Sequence, residues 1–103
     1  MKITPLNPPS EREREALTIL QEECSEVIKE VSKILRFGWD SHHPNDPSTT
    51  NRNLLEEEVG QLSRMIRFMK ENDYLDNGNM ARASEKKVEK LKKYSSLYDT
   101  DTQ

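Results

Sequence analysis

Between Leu17 and Leu35 apolar side chains recur at helical spacing: Leu17, Leu20, Cys24, Val27, Ile28, Val31, Ile34 and Leu35. Successive residues turn about 100° around a helix axis, so this spacing gathers them on one face, and no strand pattern competes with it. Ser10 followed by Glu13 is a capping-box pair that starts this helix, hydroxyl onto a free N–H and carboxylate reaching back. Gly38, free to adopt positive φ, ends it after about Arg36. Thr50 or Asn51 caps a second helix reaching about Glu71, with Leu55, Val59, Leu62, Ile66 and Met69 as its stripe. A third covers about Met80 to Tyr98, dense in lysine, with a thin line of Val88, Leu91 and Tyr94. Residues 37–50 hold Gly38, Pro44, Asn45, Asp46, Pro47 and Ser48 and read as a loop too long for a mere connector. The Asp76-Asn77-Gly78-Asn79 cluster reads as a turn.

The expected fold is all-α, a bundle of three main helices in one domain over 10–98. A flexible lead-in at 1–9 and a flexible tail at 99–103 flank it. With 103 residues, 32% hydrophobic and 34% charged, the chain is too lean to close a large core alone, and a homo-dimer or homo-tetramer is expected to complete it. A net charge of −3 gives no basic field for nucleic acid. Cys24, the one cysteine, excludes an internal disulfide and fits a reducing cytoplasm. No run approaches the roughly 18 apolar residues of a membrane span, so a soluble protein without a membrane partner is expected.

Carboxylates are the candidate chemistry. Glu23, Glu26 and Glu30 cluster on one flank of the first helix within an arc of about 60°, and Glu22 lies farther round. On the second helix Glu58 falls about 60° from the stripe centre, whereas Glu56 and Glu57 point to solvent. Antiparallel packing brings these flanks together. Carboxylates that close repel one another unless a cation neutralises them, and magnesium suits a set of hard oxygen donors. The competing reading is a solvated acidic face, because glutamate is a good helix former.

The run EECSEVIKEVSKILRFGWD, a Pro-bearing loop, then TNRNLLEEEVGQL resembles the MazG-like nucleotide pyrophosphohydrolases, most closely the short forms of bacteriophages and prophages. The resemblance spans about Leu17 to Met69, with a weaker echo at Lys87 to Tyr94. It implies an all-α fold and magnesium (manganese substituting) held by an ExxE helix and an ExxD helix. The implied reaction is cleavage of nucleoside triphosphates to monophosphate and pyrophosphate, in the host cytoplasm for a phage-encoded enzyme. ExxE falls on Glu23 and Glu26, and ExxD on Glu58 and Gln61. Lys33, Arg36, Phe37 and Gly38 match KxxRFG, and Thr50, Asn51 and Arg52 match TNR.

Gln61 stands where the family has aspartate. Its carboxamide oxygen can coordinate a hard cation but brings no charge, which weakens binding. Two functions follow: a hydrolase that accepts Gln61 as a neutral fourth metal position, or a MazG-like protein that binds or sequesters a nucleotide with little turnover. A purely structural helical adaptor is disfavoured by the charged stripe flanks and the KxxRFG loop. In the hydrolase reading Glu26 or Glu30 activates water, and Lys33, Arg36 and Lys87 offset phosphate charge. Phe37 and Trp39 either stack a base or pack beneath the loop. Asn51 caps the second helix or contacts nucleotide. Adjacent His42 and His43 make a poor zinc site and read as loop residues. Cys24 reads as a small core residue, and Met65 and Met69 as core or subunit contacts.

Overall fold

A computed structural model describes residues 3–99. The expectations for Met1, Lys2 and the tail from 100 onward fall outside them. Three helices follow in order: α1 (Glu11–Phe37), α2 (Asn51–Glu71) and α3 (Asn77–Tyr94). Among the described residues β-pairing amounts to one isolated antiparallel bridge, between His42 and Thr50. No helix among them is long and apolar enough to cross a membrane.

Local chemistry sets the helix ends. Ser10 accepts from the Glu13 N–H, and the Glu13 carboxylate accepts from the Ser10 N–H at 2.7 Å, closing the expected capping box. These bonds hold the Glu13 carboxyl below the usual carboxylate range. Gly38 ends α1 at φ 95°, in the region that favours glycine, and donates its N–H to the Ile34 carbonyl. Thr50, and not Asn51, caps α2: its hydroxyl accepts from the Asn53 N–H, and Asn53 Oδ1 accepts from the Thr50 N–H. α3 begins three residues before the expected Met80 because Asp76 accepts from the Asn79 N–H at 2.8 Å. The supposed turn is therefore a cap and first helical turn. α3 also stops before the expected Tyr98, at Tyr94, where Ser95 turns extended and its hydroxyl bonds the Leu91 carbonyl.

α1 and α2 form an antiparallel hairpin. At one end Arg12 lies 5.6 Å from the Phe68 ring centre and reaches Asn72; at the other Asn51 donates to the Gly38 carbonyl at 3.1 Å. Among the described residues the buried apolar ones are Ala16, Ile34 and Met69. α3 buries no residue, because its apolar line is too narrow to dock on the hairpin. The Cα radius of gyration, 18.1 Å, exceeds the about 13 Å of a compact chain of this length.

The inward face of α1 is rotated from the apolar stripe. Ala16, Glu30 and Ile34 are buried and Glu23, Glu26 and Val27 half-buried, whereas Leu17, Cys24, Ile28, Val31 and Leu35 are exposed. The stripe is wider than α2 alone can cover. Cys24, expected in the core, stands on the outward part.

Candidate functional site

Rotation of α1 puts its acidic flank against α2. Glu58 is half-buried at this seam, while Glu56 and Glu57 are exposed, as the helical geometry requires. Loss of water pushes the Glu58 carboxyl above its ordinary value, and the nearby charges of Glu26, Glu23, Glu57 and Glu30 push it further. The acidic flanks of the two helices thus meet.

Glu30 lies deepest, 5% exposed. Lys33, one turn on, brings Nζ to 3.0 Å from Glu30 Oε2. The approach is that of an ion pair but off the direction of a hydrogen bond, so Oε2 has no hydrogen-bond donor. Gln61 is exposed at the rim and turns its amide nitrogen toward the acids, as its neighbours require. In that orientation Nε2 donates to Glu23 Oε2 at 3.0 Å and Glu58 Oε2 at 3.2 Å.

A cleft of about 430 Å³ lies between the end of α1, the 38–50 loop and the start of α2, and Lys33, paired with Glu30, connects it to the seam. Lys33, Phe37, His42, Thr49, Asn51 and Leu54 are among the residues lining it. The loop is tied to α2 by backbone bonds: the Asn51 N–H donates to the Ser41 carbonyl and the Arg52 N–H to the Trp39 carbonyl, each at 2.9 Å. With the Thr50–Asn53 exchange, these bonds satisfy the N–H groups at the start of α2. That helix end therefore offers no free N–H to an anion, and attraction for phosphate must come from side chains or a cation.

The expected nucleotide contacts divide. Lys33, Phe37 and Asn51 line the cleft. Asn51 is also buried and structural, through its bond to Gly38. Arg36 lies over the Phe37 ring at 5.2 Å, and Trp39, half exposed, stacks under the Arg52 guanidinium at 4.5 Å. Lys87 stands exposed on α3, which does not pack along the seam. His42 and Thr49, passed over as loop residues, also face the cleft, brought there by the bridge that folds the loop back onto Thr50. Only that long-range pairing reveals them, and no local spacing encodes it.

The donors at the seam are the carboxylates Glu23, Glu26, Glu30 and Glu58 with the Gln61 carboxamide. In charge and chemistry they fit a hard divalent cation, which would relieve the crowding at Glu58. Among the described residues no three acidic, histidine or cysteine side chains converge as ligands of one ion do. The space between Glu23 and Glu58 is spanned by the Gln61 amide instead.

No family model matches the chain, and no curated protein or solved structure matches it.

Proposed function

We propose that the chain is a magnesium-dependent nucleoside triphosphate pyrophosphohydrolase of the MazG-like kind. The observation that carries this reading is the crowding of Glu58 by Glu26 and Glu23 across the seam, beside a cleft that Lys33 lines. Glu23, Glu26 and Glu58 would have to draw together to hold the ion, with Gln61 as a neutral fourth position. Bound magnesium, or manganese in its place, neutralises charge on a phosphoanhydride and acidifies water. The nucleoside occupies the cleft, with its phosphates toward Lys33 and the seam. Glu26, half-exposed, is the better placed base for an attacking water. Glu30 is buried and aims Lys33. Arg36 adds positive charge at the cleft mouth once it leaves the Phe37 ring. Pyrophosphate release from a panel of ribo- and deoxynucleoside triphosphates, with magnesium and with chelator, tests this. Release that requires magnesium and is lost in Glu58→Ala is expected.

A second reading, a nucleotide-binding protein with little turnover, is favoured by the Gln61 amide standing between Glu23 and Glu58. It predicts nucleotide binding by calorimetry without pyrophosphate release, and a large gain in rate in Gln61→Asp.

The working form is a homo-dimer or homo-tetramer. Cys24, Ile28, Val31 and Leu35 alternate at spacings of four and three, the seam of a helix–helix contact, and all are exposed. A second copy of the same outward face would cover them and enlarge the sparse core.

A further inference from the structure

We infer that Gln61 is a neutral clasp which lets the acidic seam stand without a cation. Its Nε2 carries two N–H donors, and the two acceptors within reach lie on different helices: Glu23 Oε2 on α1 at 3.0 Å and Glu58 Oε2 on α2 at 3.2 Å. One amide therefore links the helices at the point where their carboxylates repel, and adds no charge. Hydrogen bonds to ionised acceptors are the stronger kind, and each relieves negative charge on its carboxylate. An aspartate at position 61 would have no donor to offer and would place a further anion beside Glu23 and Glu58. That chain would depend on a bound cation to hold its seam. The glutamine thus exchanges cation affinity for independence from the cation. Its side of the exchange, the chelated state, is independent of catalysis. Its other side rests on the metal reading given above.

Thermal unfolding of the full chain, in chelator and in magnesium, tests the clasp. In chelator Gln61→Asp is expected to melt about 4–8 °C below the native chain. Gln61→Met removes both donors without adding charge and is expected to melt between the two, a readout that survives if Gln61→Asp fails to fold. Moving the amide one turn back along α2, in the double variant Glu58→Gln with Gln61→Asp, restores one amide among the acids and is expected to recover most of the loss. Magnesium is expected to raise the melting temperature of Gln61→Asp more than that of the native chain. Equal melting of the native chain, Gln61→Asp and Gln61→Met in chelator would overturn the clasp. If the losses appear in chelator but magnesium shifts no variant, the clasp stands and the metal reading fails.

Discussion

Lys33 Nζ lies 3.0 Å from Glu30 Oε2, joining the most buried charged side chain of the hairpin to a cation that lines the neighbouring cleft. The pair couples the fold to the site. Glu30 is kept from being an isolated buried charge, and Lys33 is held at the cleft wall.

Lys33→Met leaves the Glu30 carboxylate without its partner. We expect a loss of about 1–3 kcal/mol in denaturant unfolding, the cost of leaving a buried carboxylate without the cation that faces it. Nucleotide affinity should fall as well. Adding Glu30→Gln to Lys33→Met should recover much of the stability and none of the affinity, which separates the two roles of the lysine.

Glu58→Gln should stabilise the chelated protein at neutral pH while abolishing hydrolysis. The folded-state carboxyl is raised above its ordinary 4.5, so between the two values the folded chain binds more protons than the unfolded. Stability from this group therefore falls as pH rises through the folded value. The advantage of Glu58→Gln should be present above that value and vanish as pH drops below 4.5. Glu13 and Asp46 run the other way. Their carboxyls are lowered by bonds to Ser10 and to Ser48 and Thr49, and their contributions are lost as pH falls through the folded values. Thermal melts of both chains across acid pH check the crossing signs.

Asn51→Ala removes the buried amide that bonds the Gly38 carbonyl. A cost of about 1–3 kcal/mol is expected, with faster hydrogen exchange in the 38–50 loop and weaker nucleotide binding. Thr50→Ala, which removes only the cap, should cost about 1 kcal/mol. Trp39 is the single tryptophan and reports directly on the loop: its fluorescence should shift in both variants as the Arg52 stack loosens.

Ile28→Asp places a charge in the middle of the exposed α1 seam, on a side chain that is 66% exposed in one chain. Light scattering should show the native chain as a dimer or tetramer and the variant shifted toward monomer. A native monomer at all concentrations would contradict self-association.

Much of the helical frame was legible in the sequence because it depends on near neighbours. Ser10 with Glu13, Gly38 and Thr50 each act within a few residues, and each falls where the pattern places it. The start of α3 was misread because Asp76-Asn77-Gly78-Asn79 has turn composition, and Asp76 uses that composition to cap a helix. The direction of α1 was harder. Its apolar stripe is broad, and which part turns inward depends on what α2 offers opposite, so Cys24 and Ile28 face out while Glu30 is buried. The acidic flanks of Glu23, Glu26 and Glu58 were legible from helical phase. Helical phase does not fix which atom of Gln61 faces them. That follows from the two acceptors that surround it.

Product analysis after incubation with nucleoside triphosphates and magnesium tests the central claim most directly. The account predicts monophosphate and pyrophosphate in equal amounts, none in chelator and none from Glu58→Ala. Bound but uncleaved nucleotide, or release of diphosphate and inorganic phosphate, would contradict it.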